Sequence, residues 1–200
     1  MDTAFTDLKP GTLLAPVPAV MVSCARRGEK PNIVTLAWVG TVNSEPPMCS
    51  VSVRKERFSH DIIRDSGEFI INLVGEEQLK ATDFCGVKSG RDTDKFAACG
   101  LTPAAVPGFA APAIGECPLY LACRVASVQE LGSHDLFLGR IERVGVKPDL
   151  MDEAGRIDYS KAKLIAYNHG NYYALGQALG FFGYSVAAPD VLKRRMEALR

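Results

Sequence analysis

The chain has 200 residues, 23 basic and 23 acidic side chains and a hydrophobic fraction of 47%, enough for one domain with a real core. A formal net charge of zero argues against a protein built to hold long nucleic acid, which ordinarily carries a basic excess, and no apolar run approaches the roughly 20 residues of a bilayer-spanning helix. No basic segment followed by an apolar core opens the chain, and the six cysteines (Cys24, Cys49, Cys85, Cys99, Cys117, Cys123) form no Cys-x-x-Cys pair, so reduced, mostly buried thiols in a cytoplasmic protein are expected.

Residues 13–25 predict a short apolar strand whose prolines lie before it or at its edge. A polar turn at 26–31 leads to a second arm, 32–42, and the pair reads as a hairpin. Ile33, Thr35, Ala37 and Val39 share one face of that arm, and Val34, Leu36 and Trp38 the other. Apolar residues on both faces predict cover on both, as in a barrel or a sheet under helices. After a loop at 43–47, residues 48–53 alternate strictly. Met48, Ser50 and Ser52 fall on one side, Cys49, Val51 and Val53 on the other, so the serine side faces either solvent or a ligand with a polar edge.

Ser59 is placed as the N-cap of a short helix that stops at Gly67. Residues 69–74 read as a buried strand, and 76–86 as an amphipathic helix with Leu79 and Phe84 inside. A polar loop at 89–96 enters another short helix ending near Gly100. Prolines make 101–115 an irregular surface connection. Residues 118–131, a turn at 132–135 containing His134, and 136–147 form the clearest hairpin. A polar excursion, a short strand at 164–167, the stretch 168–173 and a basic amphipathic helix over 191–200 complete the chain. The inventory lacks regular strand–helix alternation. It predicts a mainly β, α+β fold, an antiparallel barrel with short flanking helices, in one domain over 1–200.

No Gly-x-Gly-x-x-Gly follows a strand, and neither a Walker loop nor a Gly-x-Ser-x-Gly elbow is present. His60, His134 and His169 are scattered, without metal-ligand spacing. The set Ser50, Ser52, Arg54 and Ser59 is more informative, because a phosphate needs converging donors. Arg54 offers a bidentate fork, and Ser59 a hydroxyl beside a helix N-terminus. Alternatively Ser59 only caps its helix and Arg54 pairs with Glu56 or Glu68. Lys88, Arg91 or Lys95 could join the same anion, or the loop is solvated and Asp92 or Asp94 caps a helix. Trp38 is either core packing or the wall of a pocket. His134 is either an exposed turn residue or a proton donor beside a redox site.

Taken in order, several segments resemble the flavin reductase-like family with the FMN-binding split barrel, in its flavoredoxin-type branch, over roughly residues 14–186. They are Asn32-Ile-Val-Thr-Leu-Ala-Trp38, Pro46-Pro47, Ser50-Val-Ser-Val-Arg54 with Phe58-Ser59, Phe69-Ile-Ile-Asn72-Leu, Ser89-Gly-Arg-Asp-Thr-Asp-Lys-Phe96 with Gly100-Leu-Thr-Pro103, Gly132-Ser-His134 with Phe137-Leu-Gly139, and Tyr172-Tyr173-Ala-Leu-Gly176. The resemblance implies a homodimer with FMN at the subunit interface, an electron donor that is NAD(P)H or a redox protein, and free flavin or a redox protein as acceptor. It implies that Thr35, Ala37 and Trp38 line the isoalloxazine and that the backbone of Ser50, Val51, Ser52, Val53 and Arg54 meets its polar edge. Arg54, Ser59 and Lys95 would hold the phosphate, with Ser89 and Asp94 nearby, while His134 and the region from Tyr167 to Tyr173, with those two tyrosines as contacts, shape the open face. The flavin would carry the redox chemistry, leaving the protein to position it; the alternative is a non-enzymatic electron carrier. The chain departs from the family pattern at Thr35, where Asn occurs, at Ser59, where Thr is frequent, and at His60, where Tyr is common.

Overall fold

The computed structural model describes residues 4–199. A proline-marked edge strand, β1 (Val17–Pro18), leads into β2 (Val20–Cys24), every residue of which is buried. The turn after β2 uses Gly28 at φ 81°, a left-handed conformation that suits glycine. It delivers the chain to β3 (Asn32–Leu36), antiparallel to β2 with Val22 opposite Val34. The expected arm at 32–42 is broken. β3 stops at Leu36, and after Ala37 and Trp38 the chain resumes as β4 (Val39–Ser44), which pairs with β5 (Pro47–Arg54) and not with β2. These partners lie next to opposite edges of one sheet, so a single straight strand cannot serve both.

Helix α1 (Phe58–Ser66) starts earlier than expected. Arg57 occupies the N-cap position without a side-chain cap, and Ser59 lies inside the first turn. Its hydroxyl instead accepts a hydrogen bond from Asn32 Nδ2 at 2.8 Å, in a buried contact. Gly67 ends the helix at φ 67° as expected. β6 (Glu68–Leu73) follows, then a 3-10 turn and α2 (Leu79–Val87), where Thr82 and Cys85 are buried. Leu79 is 37% exposed and Phe84 half-buried, so the inward face of α2 is the small-residue face, set by its close approach to β3. Helix α3 (Lys95–Cys99) is capped by the Asp94 carboxylate, which accepts the Ala97 N–H, and ends at Gly100.

The minimal pair β7 (Pro103–Ala104) and β8 (Ala113–Ile114) precedes the long hairpin of β9 (Leu119–Glu130) and β10 (His134–Val146), which His134 opens as a strand residue. A second hairpin, β11 (Ile165–Asn168) with β12 (Asn171–Ala174), and helix α4 (Pro189–Glu197) follow.

Among the described residues, seven strands form one sheet in the order β3-β2-β6-β9-β10-β5-β4, all pairs antiparallel. Two irregularities in the β9–β10 register, at Leu138/Gly139 and Ile141/Arg143, add the local bending that bulges bring. The edge strands β3 and β4 are consecutive in the chain, so the coiled sheet brings its two edges together at Ala37 and Trp38. No described helix is long and apolar enough to cross a membrane.

Val22, Val34, Val51, Val53, Phe69, Ile71 and Phe137 fill the inside of the sheet together with Ile62 and Ile63 of α1. A second cluster, with Met21, Ile33, Cys85, Phe96 and Ile165, lies where α2, α3 and β11 cover the other face of β2 and β3. Both faces of the β2–β3 hairpin are thus covered, as the pattern predicts. The segment 101–115 is more than a surface connection, since Val106, Ala111, Ala113 and Ile114 are buried. Two buried polar side chains of β6 hold it down: Asn72 Oδ1 accepts the Ile114 N–H at 2.8 Å and Glu68 Oε1 the Ala111 N–H at 2.9 Å. Helix α1 is pinned by Asp135 of β10, whose Oδ2 lies 2.8 Å from His60 Nε2 and 2.6 Å from Arg64 Nη2. None of the six cysteines is in a disulfide.

Candidate functional site

The seam between β3 and β5 opens into two adjoining cavities. The first, about 420 Å³, is bounded by Thr35 and Leu36 of β3, by Ala37 and Trp38 at the corner, and by Ser52 and Arg54 of β5. Gly86 and Val87 at the end of α2 face them, with His134, Tyr167 and Tyr172 around the mouth. Trp38 is not a core residue; it is 44% exposed and lies against His134 with ring centroids 4.6 Å apart. The His134 Nδ1 is 2.9 Å from the Ser133 hydroxyl. Burial and then the Arg54 charge hold its pKa below the ordinary imidazole value.

β4 runs beside β5 only as far as Val39 opposite Val51, after which Ser52 N–H donates to Trp38 O at 2.9 Å. Backbone groups alternate in direction along a strand, so the Arg54 N–H points to the same side, past the end of β4 and toward the cavity that Arg54 lines.

The second cavity, about 460 Å³, shares Arg54, Arg57 and Val87 with the first. Five cations line it (Arg54, Arg57, Lys88, Arg91, Lys95) against one carboxylate, Glu56, with Ser59, Ser89 and Gly90 between them. Lys95 is 3% exposed, and its ammonium donates to Ile33 O at 2.6 Å and Cys85 O at 2.8 Å. Burial is the main cause of its lowered pKa; the Arg57 charge adds to it, and nearby thiols oppose it. Arg57 Nη1 donates to Gly86 O at 2.9 Å, and Arg91 Nη1 to Glu56 O at 3.2 Å. Arg54 Nη1 lies 3.3 Å from Glu56 Oε1, the pairing foreseen as its alternative role, while Glu68 pairs with Arg124. Gly90 is pressed on Asn32: an added Cβ would stand 2.0 Å from Asn32 Oδ1.

The sequence-predicted residues therefore divide. Thr35, Ala37, Trp38, Ser52, Arg54, His134 and Tyr167 meet at the first cavity, and Arg54, Ser59, Ser89 and Lys95 at the second. Ser50, Val51, Val53, Asp94 and Tyr173 line neither. The side chains of Val51 and Val53 are in the core, and their backbone groups point the opposite way from Ser52, toward β10. Asp94 caps α3 and faces Lys30 at 4.0 Å. Tyr173 points away from the cavity, and its neighbour Tyr172 takes the position expected of it, donating its hydroxyl to Asp83 Oδ1 at 3.3 Å. Arg57 was not foreseen. The signal for it was Arg54-Lys-Glu-Arg57, three cations in four residues directly before a helix.

The donor set suits an anion joined to a flat ring: one cavity has aromatic and apolar walls, the other is rich in cations, hydroxyls and amides. Residues 14–176 match the flavin reductase like domain, and the chain belongs to that family. It is similar to the flavoredoxin of Desulfovibrio vulgaris (Miyazaki F), with a TM-score of 0.83 and 31% identity over 89% of this chain and 97% of that one. A flavoredoxin from Methanosarcina acetivorans gives a TM-score of 0.80 and 26% identity over 92% and 100%. The NADH:riboflavin 5'-phosphate oxidoreductase of Streptomyces pristinaespiralis is 27% identical over 122 residues, 61% of this chain. The match spans 66% of that relative's length. The open seven-stranded sheet is thus the split barrel of a flavoredoxin-type, flavin reductase-like protein.

Proposed function

We propose that the chain is an FMN-binding oxidoreductase that takes electrons from NAD(P)H or a protein donor and passes them to free flavin or a protein acceptor. One observation carries this reading: an aromatic-walled cavity opens into a cavity with five cations and one carboxylate. Thr35, Ala37 and Trp38 would line the ring, and the open edge of β5 at Ser52 and Arg54 would meet its polar rim. Arg54, Arg57, Ser59, Ser89 and Lys95 would hold the phosphate. Bound there, FMN supplies the electron transfer itself. The chain's residues orient it and limit access. His134, packed on Trp38 and with its pKa lowered by burial and by the Arg54 charge, narrows the mouth.

Purified protein is expected to take up FMN, with the flavin absorbance bands retained after gel filtration, and then to oxidise NADH or NADPH when free flavin is supplied. The similarity to a flavoredoxin at 31% identity favours a second reading, an electron carrier between proteins. FMN-loaded protein that oxidises neither nicotinamide in the presence of free flavin supports the carrier and sinks the reductase. A preparation that stays colourless after FMN is added removes both. A homodimer belongs to the same reading, because Val42 on β4, Val144 on β10 and Phe182 in the C-terminal segment are exposed, and a second copy would cover such apolar surface.

A further inference from the structure

The last turn of α2 stands between the two cavities, and side chains from both hold its carbonyls. A helix leaves its final carbonyls without intrahelical partners. In α2, Phe84 O accepts the Lys88 N–H, Cys85 O accepts from Lys95 Nζ at 2.8 Å, and Gly86 O accepts from Arg57 Nη1 at 2.9 Å. One turn earlier, Thr82 O accepts from the Thr35 hydroxyl on β3. The Lys95 ammonium also grips β3 itself, at Ile33 O. Two cations at a helix C-terminus match its dipole, and both belong to the cationic cavity. An ammonium has three donors and a guanidinium five, so each has donors left for an anion there.

The same turn forms a wall of the other cavity, where Asp83, Gly86 and Val87 lie. Contact with β3 is close: a Cβ on Gly86 would approach Thr35 Cβ to 3.3 Å. Without an anion, Lys95 and Arg57 repel each other across the cavity. An anion offsets that repulsion and favours the charged ammonium, which strengthens its hydrogen bonds to Ile33 O and Cys85 O.

We propose that the last turn of α2 couples the two halves of the site. An anion held by Lys95 and Arg57 fixes α2 against β3 and so presets the ring cavity, and ring binding and anion binding reinforce each other. Lys95 is then a positioning residue for the ring, whose cavity it does not line, whereas Arg57 borders both cavities. The inference rests on the flavin reading above.

Riboflavin, the ring without the phosphate, separates the two halves. Its fluorescence titration is run at constant ionic strength with chloride or with inorganic phosphate. Phosphate is expected to tighten riboflavin binding about 5- to 150-fold, the usual range of such couplings. Riboflavin must tighten phosphate binding by the same factor in calorimetry, a reciprocity that needs no variant. In Lys95→Met the phosphate effect is expected to vanish, whereas Lys80→Met, an exposed lysine of the same helix α2 outside both cavities, keeps it. A purely structural role for Lys95 would weaken riboflavin equally in both buffers. Riboflavin that binds equally well in both buffers overturns the coupling and leaves the flavin reading intact. Failure of both riboflavin and FMN to bind overturns the flavin reading, and the coupling with it.

Discussion

A buried cation such as Lys95 is stable only with oxygen partners, and the carbonyls it grips are as much part of the site as its charge. Arg54 is the opposite case, half-exposed and free to turn from Glu56 to a phosphate. Arg54→Ala is expected to weaken FMN binding by about 1.5–3 kcal/mol, the range of a charge-assisted hydrogen bond; an unchanged fluorescence titration removes Arg54 from the phosphate. Gly90→Ala forces the loop or Asn32 to move, since the added Cβ would lie 2.0 Å from Asn32 Oδ1. Ser59 then loses its amide donor, and FMN affinity is expected to fall by about 0.5–1.5 kcal/mol, a typical net hydrogen bond, in the same titration. His134 gives a pH signature. Its pKa is lowered from 6.5, so the unfolded chain binds the proton first as pH falls. Native stability should decline through the window just below pH 6.5, and denaturant titrations of His134→Gln should lack that slope. At this scale the motif residues Trp38, Ser52, Arg54, Ser59 and Lys95 were legible in the sequence. Strand parity was not: Tyr172 and Tyr173 are chemically alike, and only the pairing of β12 with β11 decides which one faces the cavity.

Between elements, the contact of α1 with the barrel end depends on Asp135. Burial alone would raise its pKa, but the hydrogen bond with His60 and the Lys55 charge outweigh that and hold it below 3.8. Its contribution to stability is present above pH 3.8 and is lost as pH falls through the lower folded value. Across the sheet, Gly139 of β10 lies opposite Cys49, and its missing side chain lets Cys49 and Cys123 approach to 3.4 Å between sulfurs. A Cβ there would stand 2.6 Å from Phe69 Cζ and 3.0 Å from Cys123 Cβ. Gly139→Ala is therefore expected to cost about 1–3 kcal/mol by overpacking, read as a lower urea midpoint with the slope unchanged. Most strands and short helices could be read from alternation and from the stops at Gly67 and Gly100. The break at Ala37 and Trp38 could not, because residues 32–42 are continuously strand-like and their one glycine, Gly40, falls inside β4 and not at the corner. The corner exists because β2 and β5 claim the two halves, and that pairing is tertiary.

For the whole molecule, antiparallel hairpins with helices outside follow from local pattern, whereas the position of the seam follows from closure of the sheet. Sedimentation at micromolar concentration is expected to give a dimer mass; a monomer would contradict the homodimer reading. The seam itself works as a ruler. Only Ala37 and Trp38 separate the strand at one edge of the sheet from the strand at the other, so chain length at that point sets how far apart the edges can stand. One inserted residue could add at most about 3.3–3.6 Å of reach, close to the thickness of one aromatic layer. Lengthening or shortening this two-residue span is therefore the direct way to regrade the width of ligand the barrel accepts, with the seven-stranded register left in place.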